Sequence, residues 1–317
     1  FLLIGNEIWK ELATQFHNDG QVKFLFLNKT LFKNPADALY RINTLLDVNE
    51  KSYNTLIYWT FSRETICGDW IAQHIPAKHK IAINGDLQCQ KAPERESGNQ
   101  VYNKLISQEP PTTFEPLRNK WLASIIAEEE LQINTLKPTE KATSPYVVVL
   151  PGASAAFRQW PASFFAAVCE HICTTMKLHI VLAGAPNEQH IGMEILARVN
   201  NPDLIINKIG LFSLPELENC ISKATLLIGN ESSGIHIAAQ AGVPAICISN
   251  GNHYGRFNPY EQFGEPTITT IYPQSIATLN HEQRLALYYD GSIEDISNIS
   301  VEEVITAIHS RLNIGIA

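Results

Sequence analysis

The sequence predicts an α/β protein built from two doubly wound domains, each with a parallel sheet. Three observations carry that expectation. From Tyr146 to Ser249, short runs that are apolar on every position alternate with segments of helical spacing, as in a parallel sheet covered on both faces. The first half of the chain shows a weaker version of the same alternation. Between the two, residues 134–145 are polar and carry Pro138, Thr139, Lys141, Thr143, Ser144 and Pro145, the composition of a linker. At 317 residues the chain has room for two domains of ordinary size.

In the first half, residues 1–4, 22–27, 55–58 and 80–83 read as strands, with helices between them. Phe1 already stands inside an apolar run, so the reading expects an N-terminal portion to precede it. In the second half, Tyr146–Leu150 is a strand, and Pro161 and Ser163 open a helical segment reaching Thr175. Leu178–Ala183 is the next strand and a helix follows from about Asn187 to Val199. Leu204–Ile206 is a strand, and Ser213 with Pro215 opens a helix ending near Ser222. The strand Thr225–Ile228, a helix over residues 233–241 and the strand Ala245–Ser249 complete the series. Ser300, with Glu302 and Glu303 in the first turn, opens a last helix over Val301–Leu312. The expected boundaries are a first domain over 1–137, a linker over 138–145, a second domain over 146–300 and a C-terminal helix over 301–317. Two such domains joined by a short hinge are expected to enclose a cleft suited to a ligand.

Composition narrows the function. With 45% hydrophobic and 18% charged residues the chain reads as a globular protein able to bury sizeable cores. No apolar run approaches the roughly 18 residues that span a bilayer, and no secretory signal pattern is visible. A net charge of −8 argues against nucleic acid as a partner, since phosphate backbones need clustered cations. The six cysteines contain no Cys-x-x-Cys pair; Cys169 and Cys173 stand one helical turn apart, a spacing that suits buried thiols better than a metal without further ligands. No metal is expected, and a reducing cytoplasm fits.

The candidate site residues cluster where strands end. Ile228 to Ala239 runs from a strand through Asn230, Glu231, Ser232, Ser233 and Gly234 into a helix carrying His236. Such a junction leaves backbone N–H groups unpaired at a helix start, where an anion is favoured. Ser232 and Ser233 add hydroxyl donors, and Gly234 is expected to let a ligand approach the backbone. His236 is either an orienting group or a satisfied buried histidine. Gly152 and Ser154 follow the strand Tyr146–Leu150 and lead to Arg158, whose planar fork of donors suits a phosphate; the alternative is a solvated Arg beside a core Trp160. Glu188 follows Gly184-Ala185-Pro186, where it either accepts hydrogen bonds from ribose hydroxyls or serves as a first-turn helix acid. Asn250 to Phe257 gathers His253, Tyr254 and Arg256 in a glycine-rich loop at the same sheet edge, a placement that commonly contacts ligand.

These motifs together resemble glycosyltransferase family nine, the ADP-heptose:lipopolysaccharide heptosyltransferases. The resemblance rests on Pro151-Gly152 with Arg158-x-Trp160-Pro161, on Gly184-Ala185-Pro186-x-Glu188 and on Asn230 through Ala239. It extends more loosely to Tyr53–Ile57 with Ser62-Arg63, to Lys80–Gly85 and to Phe114-Glu115 with Arg118-Asn119. The resemblance implies two Rossmann-like domains facing a cleft, the GT-B type of glycosyltransferase architecture. It implies an inverting, metal-independent transfer of heptose or a related sugar from a nucleotide-diphosphate donor, ADP-heptose being one candidate, to a lipopolysaccharide or other surface-glycan acceptor. No cofactor beyond the donor is implied.

By the same resemblance Arg158, Glu231 and His236 are the catalytic candidates. Gly152, Ser154, Arg158, Glu188, Phe212, Ser232, Ser233 and Gly234 would hold the donor, with Phe212 near the base. The family's general base is an Asp in a loop after the first strand, which the reading places upstream of Phe1; Asp69, Asp86 and Glu64 are lesser candidates. Two positions depart from the pattern: Glu231 replaces the usual Asp, and Ser233 the usual Gly, with the glycine displaced to Gly234. Two rival readings stay open, a non-catalytic nucleotide-sugar binder and a UDP-sugar epimerase of the same architecture. A lipid-linked or oligosaccharide acceptor would bring a cytoplasmic protein to the inner face of the inner membrane. No oligomeric state follows from the sequence.

Overall fold

In a computed structural model of the protein, residues 2–16, 22–49, 51–107, 113–132, 142–260 and 267–312 are described. The chain packs into two compact units, Phe1–Pro111 and Thr112–Ala317.

In the first unit, β1 (Leu2–Asn6) pairs in parallel with β2 (Lys23–Leu27) as a two-stranded sheet. A second parallel sheet has the order β3 (Tyr53–Tyr58), β4 (Ala77–Ile83) and β5 (Lys104–Ile106). Both sheets pack on one apolar cluster, with Leu27, Phe32, Leu45, Val48, Ile71 and Ile75 buried in it. The sequence reading omits β5, because three residues are too few to display a period.

The second unit carries β6 (Tyr146–Leu150), β7 (His179–Leu182), β8 (Ile205–Asn207), β9 (Leu226–Asn230), β10 (Ala245–Ile248) and β11 (Ile268–Ile271). They form one parallel sheet in the order β11-β10-β9-β6-β7-β8. Side chains of a strand alternate between faces, and here both faces are covered. Val147 and Val149 point into one core with Trp160, Phe165, Ile180 and Ile228, while Val148 and Leu150 point into the other with Leu227, Ile235 and Ala238. This is why Tyr-Val-Val-Val-Leu shows no polar alternation. Among the described residues β11 is the strand that the sequence reading leaves out here; Ile-Thr-Thr-Ile offers no continuous apolar run.

The helix Val301–Leu312 starts in the manner its sequence implies. Ser300 Oγ accepts from the Glu303 N–H at 3.2 Å, and Glu303 Oε2 accepts from the Ser300 N–H at 2.7 Å. Val304 and Ile308 then bury against the first of the two cores, so this helix is part of the second unit.

Packing also moves the boundary. Helix Glu115–Ala127 is read from sequence as part of the first domain, ahead of a linker at 138–145 whose residues 138–141 lie outside the described ones. It instead belongs to the second unit. Phe114 is fully buried there and meets Tyr260 edge-on at 5.0 Å. The Glu115 N–H donates to the Arg256 carbonyl at 2.8 Å, and Arg118 Nη2 donates to the Tyr288 hydroxyl. None of these long-range partners shows in chain order. Among the described residues no helix is long and apolar enough to cross a membrane.

Candidate functional site

Parallel strands open their carboxyl ends on one edge, and a doubly wound sheet forms a crevice where the chain order reverses. In the second unit that point lies between β6 and β9. Asn230, the last residue of β9, is fully buried there. Its Nδ2 donates to the Pro151 carbonyl at 2.7 Å and the Gly152 carbonyl at 3.3 Å, while its Oδ1 accepts from the Trp160 N–H at 3.0 Å. One amide thus fixes the loop after β6 to the end of β9 and sets the height at which Arg158 emerges.

Arg158 closes the short turn Ala156–Arg158. Its Nη2 donates to the Glu231 carbonyl at 2.7 Å and stands 3.8 Å from Glu231 Oε1. Its buried Nε has no hydrogen-bond partner among the described residues. A guanidinium placed by a single hydrogen bond keeps donors for an anion. Trp160 beside it is core, its Nε1–H donating to the Ile299 carbonyl at 2.9 Å.

Glu231 is buried, with Ser249 Oγ donating to its Oε2. Burial pushes its carboxyl above the ordinary value, against the pull of Ser249, Arg158 and Asn258. Ser232 caps the helix Ser233–Gln240 in extended conformation, and its hydroxyl makes no capping hydrogen bond. The first-turn amides are therefore not covered by their own cap, and they follow directly on Glu231, whose carbonyl Arg158 holds.

Gly234 does something other than the sequence reading expects. A Cβ there would stand 2.0 Å from Leu150 Cδ1, inside the core. The close approach it permits is that of helix to strand β6, not of ligand to backbone. His236, one turn into the helix, hydrogen-bonds through Nδ1 to the Tyr260 hydroxyl. Burial, and then the Arg158 charge, lower its imidazole to about 4, so it is neutral at pH 7.

On the β7 side, Glu188 lies over two glycines. A Cβ at Gly152 would stand 2.0 Å from its Cδ, and one at Gly184 2.5 Å from its Oε2. Glu188 Oε2 also accepts from the Ala185 N–H at 2.7 Å. Glu188 thus serves as the first-turn acid that caps its own turn, and its carboxylate sits at the carboxyl ends of β6 and β7. Ser154 is exposed on the loop after β6, and Phe212 packs half-buried on the core that includes Leu150 and Ile221.

With this edge assembled, comparison with known proteins decides the family. The profile of glycosyltransferase family 9 (heptosyltransferase) matches residues 112–275, more than half of the chain. The chain belongs to that family.

Its family-9 relatives include lipooligosaccharide heptosyltransferase 2 of Haemophilus influenzae, 27% identical over 143 residues, which are 43% of this chain and 40% of the relative. The matched part is thus less than half the length of that relative. A family 9 glycosyltransferase from Veillonella parvula has a similar fold, with a TM-score of 0.73, 15% identity, and coverage of 99% of this chain and 88% of that one. Escherichia coli heptosyltransferase WaaC with ADP gives a TM-score of 0.68 at 12% identity, covering 97% of this chain and 89% of that one. E. coli ADP-heptose lps heptosyltransferase II gives 0.64 at 15% identity, covering 98% and 89%. These likenesses establish the fold as that of the family-9 enzymes.

The family-9 loop after β10 corrects another expectation. Arg256 is buried with its Nε 3.1 Å from Glu115 Oε2, and His253 Nδ1 lies 3.2 Å from the Tyr288 carbonyl. This loop is tied into the unit through Glu115 and Tyr288, so its cation does not stand open for a ligand. Sequence reasoning missed Ser249 and gave no role to Asn230. A polar residue ending an otherwise apolar strand is the signal that would have found both.

In the first unit, the lesser base candidates are engaged elsewhere. Asp69 is buried and accepts from Arg63 Nη2 at 2.7 Å, from the Tyr102 hydroxyl at 2.8 Å and from Gln90 Nε2. Glu64 pairs with Lys29 at 2.6 Å and Lys33 at 2.9 Å. Burial pushes Glu64 up, but the two lysines outweigh it and hold the carboxyl below its ordinary value, the wrong direction for a base. Asp86 accepts from Ser62 Oγ at 3.0 Å. Among the described residues no cluster of three or more His, Cys, Asp or Glu is arranged to hold a metal ion, and Cys169 and Cys173 are buried free thiols.

Proposed function

We propose that the chain transfers a sugar, heptose or a close relative, from a nucleotide diphosphate to a saccharide acceptor of the lipopolysaccharide kind, with inversion at the anomeric carbon. The observation that carries this reading is Arg158: a guanidinium with unspent donors among the described residues, at the crevice between β6 and β9, near helix amides that the Ser232 side chain leaves uncapped. Both features favour a diphosphate. The E. coli relative described with ADP supports adenine as the nucleobase.

In the reaction the acceptor hydroxyl oxygen bonds to the anomeric carbon as that carbon's bond to the diphosphate oxygen breaks. Its proton passes to a general base, and the electron pair leaves with the nucleotide diphosphate. Negative charge thus grows on the leaving oxygen, where fixed donors lower the barrier most. Arg158 and the amides of Ser233 and Gly234 supply that stabilisation without a divalent cation. Asn230 and Ser249 hold the cradle rigid, Glu188 receives the ribose hydroxyls and Phe212 the base. An acceptor attached to lipid would place the work at the cytoplasmic face of the inner membrane.

The test is calorimetric titration with ADP and UDP in EDTA, followed by turnover of ADP-heptose with a lipopolysaccharide-core acceptor. ADP should bind in EDTA, and Arg158→Ala should lower turnover about a hundredfold or more, as loss of one charged donor costs about 2–4 kcal/mol of barrier. Full activity of Arg158→Ala would remove Arg158 from the reaction. Binding of ADP-heptose with no transfer would leave a nucleotide-sugar binder, and turnover of donor without acceptor would point to an epimerase.

A further inference from the structure

One buried amide of the second unit makes no bond that the fold uses. Asn258, on the loop after β10, is 1% exposed, and neither its Nδ2 nor its Oδ1 has a hydrogen-bond partner among the described residues. Buried amides are almost always paired, because leaving one unpaired forfeits its bonds to water without replacement. The backbone holds the residue where it is. The Gly255 N–H donates to the Asn258 carbonyl at 2.6 Å, with Gly255 at a φ of +87° that suits a residue without a side chain. The same loop is tied down through Arg256 Nε to Glu115 Oε2 at 3.1 Å.

The amide stands against Glu231. Burial raises the Glu231 carboxyl, and Ser249, Arg158, Asn258 and His253 draw it back down. Ser249 gives its one hydroxyl hydrogen to Oε2 and is itself held by the Gly251 N–H at 3.1 Å. Arg158 supplies charge rather than a hydrogen bond to this carboxyl: its Nη2 is 3.8 Å from Oε1 and donates to the Glu231 carbonyl instead. Cys247 on β10 and Tyr260 also face Glu231, and burial raises both, so they stay neutral up to about pH 9. Of the two charged partners Arg158 is felt ahead of His253, and Arg158 is the cation that a diphosphate claims in the function proposed above. An anion there leaves a buried carboxylate facing negative charge, so the carboxylate must take a proton or find another donor. Ser249 has no second hydrogen to give. Asn258 Nδ2 has two.

We propose that Asn258 is a positioning residue for the transfer: its side-chain amide takes up the Glu231 carboxylate when a nucleotide diphosphate engages Arg158, and so keeps Glu231 ionised and in place. The proposal rests on the reading of Arg158 as the diphosphate ligand. Asn258 touches neither donor nor acceptor. It acts through Glu231, whose backbone carbonyl holds Arg158 at 2.7 Å. The idle amide thus has its use in the loaded site, where Arg158 turns its charge to the diphosphate and a neutral donor replaces it at the carboxylate. The bracing of the loop by Glu115 serves the same end, since a donor for a buried carboxylate must be in position before the charge arrives.

The test is affinity for ADP in EDTA, measured by calorimetry from pH 7 to pH 9 on the wild type and on Asn258→Leu, which is close in size and removes both polar atoms. Without the amide, the ADP complex relieves Glu231 only by holding a proton, so binding weakens as pH rises and that proton leaves. Asn258→Leu should therefore lose at least about tenfold more affinity than the wild type across this window, the effect of one proton over a pH unit or more. Glu231→Gln in the same chain should abolish the difference, which separates Glu231 from His253. An equal loss at every pH would make Asn258 a packing residue and overturn the proposal. A loss seen with ADP-heptose and not with ADP would make the amide a sugar ligand and overturn it as well. If Asn258→Leu does not fold, the wild type decides: infrared spectra of its ADP complex at pH 8, assigned with Glu231→Gln, should show Glu231 as carboxylate, and a protonated carboxyl would sink the idea. Absence of ADP binding by the wild type overturns the reading of Arg158 and this proposal with it, whereas ADP binding that Asn258→Leu leaves unchanged overturns this proposal alone.

Discussion

Asn230 shows how one side chain carries an arrangement that its residue type does not announce. An asparagine has two donors and an acceptor, and here they hold Pro151, Gly152 and Trp160 together in a place without water contact. Asn230→Ala leaves the Trp160 N–H and the Pro151 carbonyl buried and unmet, at about 1–3 kcal/mol each. Chemical denaturation should therefore show a loss of at least about 2 kcal/mol, and ADP affinity should fall with it because Arg158 emerges from the loop that Asn230 fixes. An unchanged midpoint would mean the loop is held by other contacts. The sequence marks Arg158, Glu231 and Ser232 as polar residues at strand ends, and that much of the site is legible. It does not mark Arg256 as spent on Glu115, because the partner is 141 positions away.

At the scale of elements, strand and helix positions in the second unit follow from residue pattern, since a strand buried on both faces cannot carry polar residues and a helix with one core face must alternate. Gly234 is where pattern and packing part. Its missing side chain is a contact between helix Ser233–Gln240 and strand β6, through Leu150. Gly234→Ala should destabilise the unit by about 1–3 kcal/mol through overpacking. Shortening the neighbour with Leu150→Ala in the same chain should relieve part of that cost, so the pair should be non-additive in a double-mutant cycle. Strict additivity would place the glycine's role in the ligand site instead. Short elements are the other failure of pattern: β5 and β11 hold their places by pairing with β4 and β10, not by propensity.

At the scale of the whole molecule, acid stability depends on two half-buried imidazoles of the second unit, those of His171 and His236. His171 Nε2 lies 2.9 Å from His309 Nε2, joining helix Ala162–His171 to the C-terminal helix. Burial, and then the neighbouring His309, lower the His171 pKa, and His236 is lowered to about 4. Well above about pH 6.5 these groups are neutral whether the chain is folded or not. Below it the unfolded chain binds protons that the folded one refuses, so stability falls as pH drops from 6.5 toward 4. Thermal melts across that window should show the decline, and His171→Gln with His236→Gln should flatten it. A wild-type curve with no slope there would mean that packing does not lower the two imidazoles.

By itself the sequence determined that the chain is α/β, that its second half is a parallel sheet covered on both faces, and that ligand-suited residues gather at the carboxyl ends of those strands. Each of these is local: a period, an apolar run, a polar residue where a strand must stop. Only the tertiary structure decided that helix Glu115–Ala127 packs with the second unit, that Gly234 faces Leu150, that Arg256 is neutralised by Glu115, and that β1 and β3 stand on either side of an open groove. Those facts depend on which residues meet across long stretches of chain or across a sheet edge. No window of sequence contains both partners.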